Sequence, residues 1–245
     1  MSAILLLHSL AMSGEQWQPL VERLEPHAQV VAMDARGHGK STWDGSAFTV
    51  EDLAADAAEL IGELGDGPVA MAGMSMGGCV AVALAGTRPD LVSRLVLADT
   101  TADYGPGKEV AWAERAGNAT GKPRAKQLEF QLDRWFSPGF LEREPAEVRR
   151  LADLFLATDS RAHAQACLAL GAFDGSALLG SITADTLVVV GEHDYATPPA
   201  MATALADGVP NATLRVFPDA RHFGMFEAPG ALDLVAAHLL GNEDR

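Results

Sequence analysis

The sequence predicts an α/β protein with a doubly wound, mostly parallel sheet, and three observations support this prediction. Short, wholly apolar runs recur in the first hundred residues and again near the end of the chain, as is typical of strands buried on both faces. Stretches with apolar residues at helical spacing alternate with these runs. The length of 245 residues suits one large α/β domain.

The apolar runs predict about six strands in one parallel sheet. They lie near residues 3–8, 28–34, 68–73, 94–99, 185–191 and 212–217.

Capping residues and prolines predict helices between these strands. Residues 49–52, Thr-Val-Glu-Asp, fit a capping box that opens a helix. A second helix is expected to begin near Met76 and to end before Pro89, because proline disfavours helical geometry in the preceding residue. Prolines also stand where two later helices can begin, at 198–199 and at Pro229.

The middle of the chain breaks the alternation. Residues 101–181 have helical patterns and no convincing strand, and stretches that contain Gly and Pro predict turns between the helices. We therefore expect residues 1–100 and 182–245 to form a core domain, with residues 101–181 inserted between two strands as a helical lid.

The charge balance argues against two classes of partner. Lys and Arg number 18 against 33 Asp and Glu, for a net charge of −15, whereas nucleic acids and anionic lipids attract basic segments.

No apolar stretch approaches the roughly 20 residues that span a bilayer, and the N-terminus lacks the pattern of a signal peptide. The two distant cysteines, Cys79 and Cys167, are expected as buried thiols. We expect a soluble, cytoplasmic protein.

The most informative motif is Gly-Met-Ser-Met-Gly at residues 73–77, between an apolar run and a helical stretch. G-x-S-x-G is weak alone, but between a strand and a helix it predicts a sharp turn that exposes the Ser75 hydroxyl at a helix N-terminus. The flanking glycines leave room for the crossing backbone. The alternative is a glycine-rich turn with an incidental serine.

A nucleophilic serine needs a base, and the chain order in this arrangement is serine, acid, histidine. Asp194 and His222 each follow a predicted strand, so both should reach the sheet edge that carries Ser75, where open α/β sheets bind ligands. Asp99 also follows a strand and is the alternative acid. An oxyanion needs backbone donors, for which we expect the N–H groups of Met76 and Leu10.

Together these motifs resemble the α/β-hydrolase superfamily over nearly the whole chain. Residues 34–41, Asp-Ala-Arg-Gly-His-Gly-Lys-Ser, are similar to its D-x-R-G-x-G-x-S loop. The resemblance implies the α/β-hydrolase fold with its usual first hairpin missing, because the chain starts at the superfamily's third strand.

A narrower resemblance is to the 3-oxoadipate enol-lactonases. Residues 9–17 resemble their Ser-Leu…Trp opening, and residues 134–140 and 194–199 are similar to two further motifs. The resemblance implies substrate-binding roles for Ser9 and Trp135, although Trp135 is equally expected as a plug that holds the lid on the core.

One position departs from the lactonase pattern. In our alignment Gly171 stands where the lactonases carry an arginine. An arginine there could pair with a substrate carboxylate and a glycine cannot, so this departure favours a less charged ester or lactone.

The sequence thus predicts an enzyme, a serine esterase or lactonase that cleaves a small-molecule ester or lactone through Ser75, His222 and Asp194 and an acyl-enzyme. No cofactor is expected, and no metal, because His193 and Asp194 lack further ligands at metal-site spacing. A C–C bond hydrolase on the same triad is one alternative. A non-catalytic receptor with this fold is another, although a receptor does not need a complete triad.

Overall fold

The computed structural model describes residues 3–65 and 67–242. Its sheet has six parallel strands in the order β2-β1-β3-β4-β5-β6. The strands are β1 (Ala3–Leu7), β2 (Gln29–Met33), β3 (Val69–Met74), β4 (Val92–Ala98), β5 (Asp185–Gly191) and β6 (Ala212–Phe217). The predicted sheet is confirmed, and in the described residues antiparallel pairing is limited to an isolated bridge between Asp103 and Asp174.

Helices cover both faces of this sheet. Leu5 and Leu6 are both fully buried although consecutive strand residues point to opposite faces, so neither face of the sheet is open to solvent there. The α-helices of the described residues are α1 (Gln18–Leu24), α2 (Val50–Leu64), α3 (Met76–Thr87), α4 (Lys108–Gly121), α5 (Arg124–Trp135), α6 (Pro138–Arg143), α7 (Pro145–Ala157), α8 (Ser160–Ala172), α9 (Pro199–Gly208), α10 (Gly224–Glu227) and α11 (Ala231–Leu240).

Local signals set several helix ends as expected. The capping box of α2 is present, with the Asp52 N–H donating to Thr49 Oγ1 at 3.1 Å and the Thr49 N–H donating to Asp52 Oδ2 at 2.8 Å. Helix α3 begins at Met76 and ends at Thr87, two residues before Pro89. Helix α9 begins at Pro199 as expected, whereas α11 begins at Ala231, two residues after Pro229 and with Gly230 as its N-cap.

Helices α4 to α8 lie between β4 and β5 in the chain, as the helical pattern of that segment predicted. Within this segment α8 packs closely against α4. The indole of Trp135 at the end of α5 lies with its centroid 5.3 Å from the Phe155 ring in α7 and 5.5 Å from the Phe223 ring near α10. An aromatic cluster therefore joins the inserted helices to the rest of the fold.

Both cysteines are buried free thiols, as expected. Burial raises the pKa of the Cys79 thiol and that of the Cys167 thiol to about 11. Among the described residues, no helix is both long and apolar enough to cross a membrane.

Candidate active site

Ser75 lies in a sharp turn between β3 and α3. Its backbone has φ +53° and ψ −113°, a strained conformation for a residue with a side chain. A Cβ at Gly73 would lie 2.2 Å from the Gly77 carbonyl oxygen, and one at Gly77 would lie 2.1 Å from the Leu7 carbonyl oxygen. Both glycines are therefore required by the crossing backbone, as the motif predicted.

The structure brings the three predicted residues Ser75, His222 and Asp194 together. The Ser75 hydroxyl lies 3.1 Å from His222 Nε2, and His222 Nδ1 lies 2.8 Å from Asp194 Oδ2. All three side chains are buried. The parallel neighbours β5 and β6 end side by side, and the loops that follow them carry the acid and the imidazole to the end of β3.

Asp194 is held as a carboxylate. Its Oδ1 accepts hydrogen bonds from the Ala196 and Thr197 amides at 2.7 and 3.0 Å, and its Oδ2 accepts one from Thr197 Oγ1 at 2.7 Å. Burial opposes ionisation, but the electrostatic attraction of His222 and the hydrogen bonds from His222 and Thr197 outweigh it and lower the pKa of Asp194. Because the carboxylate only accepts, His222 Nδ1 carries the proton and Nε2 can accept one from Ser75.

Asp99, the alternative acid, makes no hydrogen bond to His222 in the described structure. Its Oδ1 accepts from the Gly191 amide at 3.0 Å, and its buried Oδ2 has no partner. Burial, and then the charge of Asp194, raise the pKa of Asp99 well above its ordinary value.

Two backbone amides beside Ser75 are free to bind an oxygen. The Ser75 and Gly77 amides donate to backbone carbonyls at 2.9 and 3.1 Å, whereas the Met76 amide between them donates to no described protein group. The Leu10 amide, in the loop after β1, likewise has no acceptor in the described part of the chain. These are the two donors that the sequence predicted for an oxyanion.

Side-chain hydrogen bonds hold the loop that carries Leu10. The Ala35 amide donates to His8 Nε2 at 3.0 Å, so the other ring nitrogen, Nδ1, donates to the Ser9 carbonyl at 2.8 Å. The Ser9 amide donates in turn to Gln16 Oε1 at 3.0 Å. Burial lowers the pKa of His8, which keeps this bridge neutral. His8 and Gln16 thus support this loop through their side chains, and the motifs did not reveal Gln16.

A cavity of about 570 Å³ opens onto Ser75 and His222. Ser9, Leu10 and Trp135 line it, and the Ser9 hydroxyl is buried without a partner. Trp135 is only 5 % exposed and contacts aromatic rings on both sides, so it is both a cavity wall and a plug. Five further lining residues were not singled out as site residues from the sequence: Tyr104, Trp112, Arg115, Gln131 and His163.

One group of side chains in the described residues could chelate a cation. Ligand atoms of Glu192, His193 and Asp219 lie within 4.8 Å of one another, and all three residues are exposed. None of them lines the cavity, and Asp194 does not belong to the group.

Known proteins share this fold and sequence pattern. Residues 2–229 match the alpha/beta hydrolase fold family. The chain is 28% identical to 3-oxoadipate enol-lactonase 2 of Acinetobacter baylyi over 231 residues, which are 94% of this chain and 85% of the relative. It is 29% identical over 231 residues to an (E)-2-((N-methylformamido)methylene)succinate hydrolase of the same organism, covering 92% and 85% of the two chains.

Solved structures give the same result. The enol-lactonase from Burkholderia xenovorans superposes with a TM-score of 0.90 at 32% identity, over 98% of this chain and 91% of that one. A thermophilic esterase from Thermogutta terrifontis superposes with a TM-score of 0.87 at 28% identity, over 96% and 87%. These likenesses support a hydrolase. The chain belongs to the alpha/beta hydrolase family.

Proposed function

We propose that the protein is a serine hydrolase of small carboxylic esters or lactones, with Ser75 as nucleophile, His222 as general base and Asp194 as the residue that orients the imidazole. The main support is the hydrogen-bonded chain from the Ser75 hydroxyl through His222 to Asp194, with distances of 3.1 and 2.8 Å. A serine hydroxyl becomes nucleophilic when a positioned base can accept its proton.

In the acylation step, Ser75 Oγ attacks the substrate carbonyl carbon as its proton moves to His222 Nε2. The carbonyl oxygen becomes an oxyanion that the Leu10 and Met76 amides bind. Asp194 stabilises the imidazolium without taking its proton. His222 then protonates the leaving oxygen, and the C–O bond breaks to leave an acyl-enzyme.

Water completes the cycle. His222 Nε2 takes a proton from a water molecule that attacks the acyl-enzyme, and the same two amides bind the second oxyanion. Return of the proton to Ser75 Oγ releases the carboxylic acid. In a lactone the leaving hydroxyl stays part of the product, so one ring-opened hydroxy acid results. This cycle uses no cofactor and no metal.

The surroundings of the site have proposed roles of their own. Residues 101–181 act as the lid over a core of residues 1–100 and 182–245, and Ser9 and Trp135 contact the bound substrate. The enol-lactonase and esterase relatives support an ester or lactone as that substrate. We also propose a cytoplasmic location, which the two buried free thiols support.

Release of p-nitrophenol from p-nitrophenyl acetate tests this function. We expect turnover by the wild type and a loss on the order of 10⁶-fold in Ser75→Ala, because the nucleophile is gone. Ser93→Ala, at an exposed serine on β4, is the matched control and should keep full activity. A wild type that binds the ester without cleaving it would indicate a receptor, and an active Ser75→Ala would exclude Ser75 as the nucleophile.

A further inference from the structure

The cavity wall formed by the inserted helices has polar groups that the protein leaves unpaired. His163 lies in α8 and is 2 % exposed. The guanidinium of Arg124 is 2.7 Å from His163 Nδ1, and since a guanidinium can only donate, Nδ1 is the acceptor. The proton of the neutral ring is therefore on Nε2, which is buried and has no partner among the described residues.

Arg115 lies in α4 and lines the same cavity. In the described part of the chain it makes no ion pair and no hydrogen bond; its Nε is buried without a partner, and its guanidinium lies 4.9 Å from the centroid of the Trp112 ring. Gln131, in α5, is 8 % exposed, and its side-chain amide has no hydrogen-bond partner in the described structure. A buried polar atom without a partner, such as Arg115 Nε or His163 Nε2, is costly, and a bound ligand with acceptor atoms would reduce that cost.

The charge of the cavity contrasts with that of the whole chain. The protein has a net charge of −15. Four cations and one carboxylate line the cavity, namely Arg115, Lys122, Lys126, Arg134 and Glu114, and of these Lys126 is paired with Glu129 at 3.0 Å. A concave wall with this balance attracts an anion within an otherwise acidic protein.

Packing around Gly171 leaves no room for a side chain at that position. A Cβ at Gly171 in α8 would lie 2.8 Å from the Trp112 Cβ in α4, so the close contact of these helices leaves no room there for a side chain. Arg115 follows Trp112 by three residues and is therefore its neighbour on the surface of α4. Arg115 on α4 therefore lines the cavity, whereas position 171 on α8 carries no side chain.

We propose that this wall is a subsite for a substrate carboxylate, with Arg115 as its ion-pair partner and the His163 Nε2–H and the Gln131 amide as hydrogen-bond donors. A planar carboxylate has two acceptor oxygens, which match the fork of a guanidinium and leave lone pairs for the other two donors. The substrate is then an ester or lactone with a carboxylate remote from the scissile carbonyl. This reverses the expectation drawn from Gly171 alone, and it rests on the proposed function.

A pair of activated esters that differ at one end tests the subsite. Mono-p-nitrophenyl adipate ends in a carboxylate, and p-nitrophenyl hexanoate ends in a methyl group of similar size. After subtraction of the uncatalysed rates, we expect the wild type to have a kcat/KM at least about tenfold higher for the adipate ester. Arg115→Met should lower kcat/KM for the adipate ester by about 10- to 100-fold and leave the hexanoate ester within about threefold.

Two further variants make the result specific. Arg115→Gln removes the charge with a smaller change in packing, and should lose the preference as Arg115→Met does. Arg88→Met removes an exposed arginine that is paired with Asp90 outside the cavity, and should retain the preference. Equal kcat/KM values for the two esters in the wild type, or an unchanged preference in a folded Arg115 variant, would overturn the proposal.

Binding to an inactive variant separates the subsite from the proposed chemistry. In Ser75→Ala, calorimetry should show monomethyl adipate binding at least about tenfold more tightly than methyl hexanoate, and Arg115→Met should remove the difference. If the wild type hydrolyses neither activated ester but this difference holds, the subsite stands and the proposed function fails. If both esters are hydrolysed without preference, the function stands and the subsite fails.

Discussion

The two walls of the cavity differ in how their polar groups are satisfied. At the sheet edge, Ser75, His222 and Asp194 are bonded to one another, and Asp194 accepts three further hydrogen bonds. On the wall of inserted helices, Arg115 Nε and the Nε2–H of His163 have no hydrogen-bond partner among the described residues. A reacting group must be oriented before the substrate binds. A group that recognises the substrate contributes most to binding when the ligand supplies the hydrogen-bond partner that the protein lacks. We infer that the sheet edge performs the reaction and the helices select the substrate.

The largest expected effect is at the sheet edge. Ser75→Ala and, separately, His222→Ala should each lower ester turnover on the order of 10⁶-fold, because each removes one half of the attacking pair. The double variant should be little worse than either single one, since the residues act as a unit. Turnover of p-nitrophenyl acetate by the three variants measures this, and circular dichroism checks that they are folded. Additive losses would mean that the two residues act independently.

A smaller loss of turnover is expected when the acid of the triad is changed. Asp194→Asn keeps the shape of the side chain but favours the wrong tautomer of His222, a change that lowers turnover by about 10⁴-fold in a serine protease. Asp99→Asn is the matched control and should cost far less, because Asp99 accepts a hydrogen bond from the Gly191 amide and makes none to His222 in the described structure. Rates of one activated ester with both variants decide the assignment. A crippled Asp99→Asn beside an active Asp194→Asn would reverse it.

The same contrast explains how much could be predicted from the sequence. The six strands, the Ser75 turn and the places of Asp194 and His222 follow from short-range patterns, because parallel strands bring residues at their ends to one edge of the sheet. Arg115 and His163 could not be found in this way. Which side of a helix faces a cavity depends on how helices pack together, and the α4–α8 contact at Gly171 is a long-range feature.

A moderate loss of stability is expected at low pH from two buried histidines, His163 on the helical wall and His38 outside the cavity. Burial lowers the pKa of His38 to about 3 and that of His163 to about 2, against an ordinary value of about 6.5. The unfolded chain therefore binds protons below about pH 6.5 that the folded chain does not, and stability falls as the pH drops. At pH 5 each residue should cost about 2 kcal/mol of unfolding free energy relative to pH 7.5.

Urea unfolding at these two pH values measures this loss. His163→Gln can still accept from Arg124 but does not titrate, so it should reduce the fall in stability by about 2 kcal/mol. His38 still titrates in this variant, so the loss of about 2 kcal/mol that comes from His38 should remain. A loss as steep in His163→Gln as in the wild type would show that the buried ring at His163 does not resist protonation.

The smallest effect lies outside both walls. Thr49→Ala removes the side-chain acceptor of the α2 capping box and should lower the unfolding free energy by about 1 kcal/mol. Because Thr49 does not line the cavity, the variant should keep wild-type turnover and the same preference between the adipate and hexanoate esters. A change in either kinetic property would mean that the stability of α2 is coupled to the cavity.

The most direct test of the account is to trap the covalent intermediate. Wild-type protein mixed with excess p-nitrophenyl acetate, quenched in acid within the first turnover and digested, should carry one acetyl group on the peptide that contains Ser75. The His222→Ala variant should show no acetylation in that time. Two results would contradict the assignment of the reaction to this sheet edge. One is an acetyl group on another residue, and the other is rapid turnover by a wild type in which Ser75 is never acetylated.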